Sequence, residues 1–320
     1  MSDLPIPFRL ALVGAGRMGR QHLAALATSR TVEITDIVEP EPATRRALPD
    51  DGRRVHASLP DLLAHRLPDG IVVAAPTDEH AGLTRTAVAA GVPVLCEKPA
   101  GRSAREVDEL AAFAAAHRVP VQVGYWRRHL PVLAALRERM RTAALGSIYL
   151  VTAAQWDGEP PAAVFRATSG GIHLDMGVHE FDQIRWLTGE EVVDVHAAVA
   201  GHVEDPAAAT AGDVDGAVVT LRLSGGTLGT VSLGRYFPGG DMVRAEVFGS
   251  RGYERHDLLD PVDPGRVFHD ALRRQADAFA DLVRTGRRSG ASLLDAARAV
   301  EIAERAAAAV RTAGPLTANR

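Results

Sequence analysis

Cysteine is almost absent from this 320-residue chain, in which Cys96 stands alone. An intrachain disulfide is therefore impossible, and a zinc site built on several cysteines is excluded. So thiol-poor a chain suits a reducing compartment, and a cytoplasmic location is expected. Long apolar runs are also missing. No segment approaches the roughly 18 to 20 apolar residues of a membrane span. The first apolar run, Phe8 to Val13, is too short for the core of an export signal, so none is expected. Basic runs are missing too: 36 Lys and Arg lie scattered against 40 Asp and Glu, for a net charge of −4. Pairs such as Arg45-Arg46 and Arg287-Arg288 read as solvated positions. Neither nucleic acid nor a membrane surface is the expected partner.

What is there is an ordinary globular composition, 46% hydrophobic and 24% charged, long enough for two domains. Up to residue 124 short apolar strands alternate with helical patterns. Phe8–Val13, Val32–Val38, Arg54–His56, Gly70–Ala75, Val92–Leu95 and Val119–Val123 read as strands. Between them Met18–Ala27, Ala43–Leu48, Leu59–His65, Glu79–Ala90 and Ser103–Ala116 read as helices. Ser58 is placed to cap the third of these, and Ser103 with Glu106 has capping-box spacing. Continuous apolar strands in alternation with helices give an α/β fold, a doubly wound parallel sheet covered on both faces.

Residues 125–320 read differently. A helix at Leu130–Thr142 precedes a strand at Ser147–Gln155 and a helical stretch from Gly171 to Leu187, ending at Gly189. Strands follow at Val192–Val199, Val214–Leu223, Thr227–Arg235 and Met242–Phe248, with a hairpin signal at Ser224-Gly225-Gly226. Helices close the chain at Arg266–Arg284 and Leu293–Val310. This is an α+β domain with a large, mostly antiparallel open sheet. The Pro206–Gly212 stretch is the best candidate for a mobile loop.

Gly14-Ala15-Gly16-Arg17-Met18-Gly19 is a G-x-G-x-x-G fingerprint, following an apolar strand and opening a helix. Gly14 serves the tight turn, Gly16 the approach of a pyrophosphate, and Gly19 close helix–strand packing. The helix N-terminus, with the Arg17 and Met18 backbone, holds the phosphate charge. Glu39, 20 residues past Gly19, ends the next strand, where a carboxylate binds the adenosine ribose. It also repels a 2′-phosphate, so NAD is favoured over NADP. Arg45 and Arg46 argue the other way, but Pro40-Glu41-Pro42 is expected to hold them away from the strand end. The domain is thus read as a Rossmann NAD(P)-binding domain.

Three further segments carry chemistry. Pro76, Thr77 and His80 follow the fourth strand at its carboxyl end, where a cofactor lies in open α/β sheets; a helix cap is the plainer role for Thr77. Glu97-Lys98-Pro99 follows the fifth, and the proline keeps Lys98 out of the helical region. Asp175 and His179 are spaced i, i+4, so one helix face would carry both; a dipole-stabilised Asp and a core His are the plainer alternatives. A histidine there can act as a general base near neutral pH. A zinc mechanism needs a third protein ligand beside them, and none is evident in the sequence, so no catalytic metal is expected.

Together, the fingerprint, Glu97-Lys98-Pro99 and the Gly170-Gly171…Asp175-x-x-x-His179 stretch resemble the Gfo/Idh/MocA oxidoreductases, the inositol dehydrogenase-like members above all. Tyr125-Trp126-Arg127-Arg128 resembles the family's segment after the Rossmann domain. The resemblance covers nearly the whole chain. It implies that Lys98, Asp175 and His179 form the catalytic set and that the Lys98–Pro99 bond is cis. It implies hydride transfer between a nicotinamide and a secondary alcohol or ketone of a cyclitol or sugar, and a homodimer or homotetramer built through the second-domain sheet. The family more often carries Asp at the ribose position, where this chain has the longer Glu39. Arg128, Trp156, Asp157, Arg166 and His173 are candidate substrate contacts, beside Lys98, Asp175 and His179. Two other readings stay open: a redox-neutral, NAD-assisted glycoside hydrolase and a non-catalytic NAD-binding regulator.

Overall fold

The computed structural model describes residues 6–200, 213–260 and 262–312. The loop expected at Pro206–Gly212 lies outside them. The chain divides into two compact units. The first is the chain through His129 together with Phe268–Ala297, and the second is Leu130–Val267 together with the chain from Arg298 onward.

In the first unit six strands form one parallel sheet: β1 (Phe8–Val13), β2 (Val32–Val38), β3 (Arg54–His56), β4 (Gly70–Val73), β5 (Val94–Cys96) and β6 (Val121–Val123). Their spatial order is β3-β2-β1-β4-β5-β6, and every neighbour pair is parallel. The order reverses between β1 and β4, which opens a crevice at the carboxyl ends of those strands. β4 and β5 are buried along their whole length, as continuous apolar strings require when helices cover both faces. Four helices follow the strands closely: α1 (Arg17–Leu26), α3 (Leu59–His65), α4 (Thr77–Ala89) and α5 (Ala104–His117), with the short α2 (Pro42–Arg46) after β2. Ser58 caps α3 by accepting from the Asp61 N–H at 3.2 Å. Ser103 caps α5, accepting from the Glu106 N–H at 3.2 Å, while Glu106 reaches past it to the Arg102 N–H.

The expected boundary after residue 124 is corrected by the return of the chain. The helix Pro264–Thr285 places Ala276, Phe279 and Ala280 in the same core as Leu10, Leu12, Val72 and Leu95. Phe279 is fully buried and meets Phe8 edge-on, with ring centroids 6.0 Å apart. Phe268 meets Trp126 edge-on at 5.2 Å. The first sheet has one apolar face that its own five helices leave incompletely covered, and a distant segment finishes it.

The second unit holds β7 (Ile148–Trp156), β8 (Val192–Ala200), β9 (Gly216–Leu223), β10 (Leu228–Gly234), β11 (Met242–Gly249) and β12 (Gly252–Asp257). Their order is β12-β11-β7-β10-β9-β8, antiparallel except for the β7–β10 pair. In β9 every second residue from Ala217 to Leu223 is buried, the alternation of a sheet with one covered face. A helix at Val178–Thr188, which the left-handed Gly189 ends at φ 71°, covers that face over β7 and β10. A helix at Pro131–Arg141 packs against it. The later part of the last helix, Leu293–Thr312, is tied to β8 by Arg305, which donates to the Val193 carbonyl at 3.0 Å. No helix of the described residues is long and apolar enough to cross a membrane.

Candidate functional site

The fingerprint turn follows β1 directly. Gly14 sits at φ 95°, a region L side chains avoid, and a Cβ there would lie 2.7 Å from the Ala74 carbonyl oxygen on the neighbouring strand. A Cβ on Gly19 would collide with the Gly14 carbonyl, so the helix start and the turn fit only as glycines. Gly16 differs: nothing stands within 4 Å of where its Cβ would be, and the residue is exposed. It precedes the first residue of α1, whose N-terminus carries neither a side-chain cap nor an acidic residue in its first turn. An uncapped, open helix start with free N–H groups is the cradle a pyrophosphate needs. The Arg17 side chain is exposed beside it, while Met18 packs into the core.

Glu39 ends β2, as the spacing requires. It is 7% exposed, and its carboxylate accepts from the Ala15 N–H at 2.8 Å and the Glu41 N–H at 2.9 Å. Those bonds fix the carboxylate beside the turn and leave it lone pairs for ribose hydroxyls. Arg45 is nearer than the Pro40-Glu41-Pro42 spacing suggests. One turn of α2 brings its guanidinium back onto the Glu39 carbonyl at 2.6 Å and the Pro40 carbonyl at 2.7 Å.

Beyond β4, Pro76 precedes α4 and the Thr77 side chain caps nothing. His80, expected as a cofactor contact, is anchored to the backbone on both sides of the crevice end of β4 and β5. It is 2% exposed, with Nδ1 2.8 Å from the Pro99 carbonyl and Nε2 2.8 Å from the Ala75 carbonyl, so both ring nitrogens are turned into backbone. Beyond β5 the Lys98–Pro99 bond is cis, as the resemblance implies, and Lys98 is half-buried. Glu97, also expected at the cofactor, is held by the protein. It is 5% exposed and faces inward, 2.7 Å from His22 Nε2, with the Lys98 N–H donating to its other oxygen at 3.3 Å. Burial opposes ionisation of Glu97, but the His22 hydrogen bond and the charges of His22 and Lys98 hold its carboxyl below the usual range. Arg128, expected to meet substrate, stands 3.3 Å from Asp295. Burial works against that carboxylate too, and Arg128 with Ser292 keeps its pKa low.

In the second unit the Asp175 stretch is not a regular α-helix. His173–Gly177 forms a π-helical turn, and the α-helix starts at Val178, so the i, i+4 reading of Asp175 and His179 is replaced by a widened turn. His179 lies in the first turn of the α-helix, 7% exposed. Asp175 accepts from Arg235 Nη1 at 2.6 Å. Arg235 is 1% exposed and donates its other terminal nitrogen to Asp213 at 3.2 Å. Burial disfavours its charge, yet Asp175 and Asp213 outweigh that and raise its pKa. Arg166, expected as a substrate contact, is ion-paired: its Nε donates to Asp213 and its Nη2 to Asp215, both at 2.8 Å. Burial pushes Asp157 up to about 6, with Arg235 opposing and Asp175 adding to the rise. His173 is 7% exposed, and burial lowers it to about 4 against the pull of Asp213. Trp156 lies over Gly234, where any Cβ would strike the indole, and its Nε1 donates to Ser232 at 3.0 Å.

The carboxylate–guanidinium chain running from Asp175 through Arg235 and Asp213 to Arg166 and Asp215 is therefore the electrostatic centre of this unit. Of its five members the sequence singles out only Asp175 and Arg166. Arg235 and Asp213 sit at strand ends, far apart in the chain, and the one signal was an arginine closing an otherwise apolar strand. His22 was hidden in the same way, inside the amphipathic pattern of α1.

Residues 8–125 match the family model described as oxidoreductase family, NAD-binding Rossmann fold, and residues 133–254 match the GFO/IDH/MocA C-terminal domain. The chain is 43% identical over 299 residues to the rhizopine catabolism protein MocA of Rhizobium meliloti, covering 93% of this chain and 94% of that one. It is 35% identical to the myo-inositol dehydrogenase Hyg17 of Streptomyces leeuwenhoekii, over 87% and 89% of the two chains. Among solved structures, a putative myo-inositol dehydrogenase from Sinorhizobium meliloti superimposes with a TM-score of 0.89 at 28% identity, over 96% and 98% of the chains. The fingerprint cradle, the strand order and these matches agree, and the chain belongs to the Gfo/Idh/MocA family of NAD-binding oxidoreductases.

Proposed function

We propose that this oxidoreductase is a cyclitol dehydrogenase, oxidising a secondary alcohol of an inositol-like ring, with Lys98, Asp175 and His179 as its catalytic residues. The observation that carries the substrate class is the Asp157, Asp175 and Arg235 group: a polyhydroxylated ring brings many hydroxyl donors, and the second unit offers carboxylates held in fixed positions to accept them. Relatives named myo-inositol dehydrogenase support the same reading.

NAD, when bound, supplies the hydride acceptor. Gly14, Gly16 and Gly19 with the Arg17 and Met18 backbone hold its pyrophosphate, Glu39 its ribose, and the Pro76-Thr77 turn lines the same crevice. His179 takes the proton of the substrate hydroxyl. Lys98 donates a hydrogen bond to the oxygen as negative charge builds there, an interaction stronger in the transition state than in the ground state. Asp175, pinned by Arg235, orients a hydroxyl or the His179 ring. Tested directly, His179→Ala should lose about 10²- to 10⁴-fold in turnover while NAD binding stays within twofold to threefold of the parent. A variant that keeps most of its turnover would sink this assignment.

The open face of the second sheet supports a homo-oligomer as part of the same proposal. Val218, Leu228, Phe248 and Tyr253 are exposed there, with the Phe248 and Tyr253 rings in tilted contact, centroids 4.7 Å apart, across the β11–β12 pair. An exposed apolar patch of this kind on a sheet face marks an association surface. A cytoplasmic location fits the single buried thiol.

A further inference from the structure

At one corner of the first unit three side chains from β3 and α3 face one another: His56, Asp61 and His65. Behind them, on β2, lies Asp36, 2% exposed. Its carboxylate accepts from Arg54 Nε and Nη2, each at 2.7 Å, and from the Thr35 hydroxyl at 2.8 Å. Paired with the Arg54 guanidinium and accepting at both oxygens, it stands there as an ionised acceptor.

That fixes the histidine. His56 Nε2 stands 3.0 Å from Asp36 Oδ1, and against an ionised carboxylate the ring proton must be on Nε2. In the neutral ring the lone pair is then on Nδ1, which faces Asp61. The His56 Nδ1–Asp61 Oδ2 separation is 3.6 Å, too long for a hydrogen bond. His65 Nδ1 stands 3.5 Å from the other carboxylate oxygen. Two ligand atoms on a tetrahedral zinc, each bonded at roughly 2.1 Å, stand about 3.4 Å apart. Both separations are close to that length, one to each oxygen of the carboxylate, and the donor atoms of all three residues lie within 4.8 Å of one another. A carboxylate behind a histidine ligand, fixing its tautomer and raising its basicity, is the usual support of a zinc site. An ordinary i, i+4 Asp–His pair on a helix needs neither the third residue nor the carboxylate behind it.

We propose that His56 Nδ1, the Asp61 carboxylate and the His65 imidazole bind one divalent transition ion of the zinc class, with water in the fourth position. The ion has open access, since the Asp61 and His65 side chains are 42% and 71% exposed. In its absence His65 Nδ1 lies 2.7 Å from the Asp61 carbonyl. Ligation moves that ring proton to the solvent-facing nitrogen and gives up one exposed hydrogen bond. The ion would clamp α3 to β3, whose His56 carbonyl accepts from the Glu39 N–H at 3.0 Å, and so brace the strand edge beside the ribose-binding carboxylate. Its role there is structural and separate from hydride transfer.

The test is a titration of the full-length, tag-free protein with cobalt(II), then zinc(II) in competition. The expected result is one equivalent of cobalt bound at micromolar concentration with the visible absorption of a tetrahedral site, displaced by zinc. His65→Ala, exposed and safe for folding, and His56→Gln should each weaken binding at least tenfold, and His179→Ala should not change it. Excess zinc should raise the melting temperature of the parent and of His179→Ala but not of His65→Ala. Absence of saturable micromolar binding overturns the proposal. So does binding that survives His65→Ala or is lost in His179→Ala.

Discussion

Glu97 and His22 share a hydrogen bond of 2.7 Å in the interior of the first unit, with His22 wholly buried and Glu97 5% exposed. The residue next to Glu97 in the chain is Lys98, whose N–H donates to the same carboxylate. Gly124 has no room for a Cβ, which would lie 2.8 Å from that carboxylate, so the pair sits in a cavity shaped for it. The pair therefore positions the strand end from which Lys98 departs. Glu97→Gln, which keeps the shape and removes the charge, should lower kcat about 10- to 100-fold, the cost of a small misplacement, with little change in NAD affinity. His22→Ala strands a buried carboxylate and should cost about 3–5 kcal/mol in urea unfolding. Because Glu97 is held below its ordinary pKa, its stabilising contribution is present above the unfolded value and is lost as pH falls through the folded one. The His22→Ala penalty should therefore shrink in acid.

Arg235 joins Asp175 to Asp213 from a fully buried position. Arg235→Met should destabilise the fold by about 3–5 kcal/mol, because two carboxylates lose their shared partner. It should also lower turnover, since Asp175 is released. Arg235→Lys keeps the charge but not the planar fork, and should recover part of the stability without restoring both bonds. Equal stability of the Met variant and the parent in denaturant titration would remove Arg235 from this role.

Asp157 sets a pH dependence of opposite sign to that of Glu97. Its folded pKa of about 6 lies above the ordinary carboxyl value of 3.8, so the folded state binds its proton more tightly than the unfolded chain. The favourable contribution is complete below pH about 4 and is lost as pH rises through about 6. Asp157→Asn should therefore be more stable than the parent at pH 8, by on the order of 1–3 kcal/mol, and no more stable at pH 4. Thermal melts of both proteins across that range read the difference.

The proposed role of Glu39 is to select the coenzyme. Glu39→Ala should raise KM for NAD by about 10- to 100-fold, the loss of hydrogen bonds to a charged acceptor, and narrow the preference over NADP. Arg45, already at the Glu39 carbonyl, is the residue placed to meet a 2′-phosphate once the carboxylate is gone. An unchanged NAD/NADP ratio of kcat/KM in that variant would place selection elsewhere.

The legible parts of this molecule are those whose signal is local. Phe8–Val13, Val32–Val38 and Leu59–His65 declare themselves by their own periodicity and caps, and the glycine fingerprint by the steric needs of one turn. What escaped depends on distant partners. β12, Gly252–Asp257, carries charged residues along an edge and shows no apolar string. The parallel β7–β10 pairing joins strands separated by two α-helices and two other strands. The return of Phe279 to the first core is invisible until Phe8 is beside it. Lys98, Asp175 and His179, the proposed catalytic residues, stood in recognisable motifs. His22, Asp213 and Arg235 act through partners 22 to 75 residues away, and no short window along the chain brings those together. The π-helical turn at His173–Gly177 also defeated a reading based on a uniform 3.6-residue period.

The most direct measurement is absorbance at the NADH wavelength, with purified protein, NAD or NADP, and a panel of cyclitols, aldoses and ketosugars. A rise that depends on a cyclitol and on NAD, and that His179→Ala abolishes, is the expected result. Confirmed NAD binding with no absorbance change on any of these substrates, in either direction, would contradict hydride transfer to a cyclitol and favour redox-neutral chemistry.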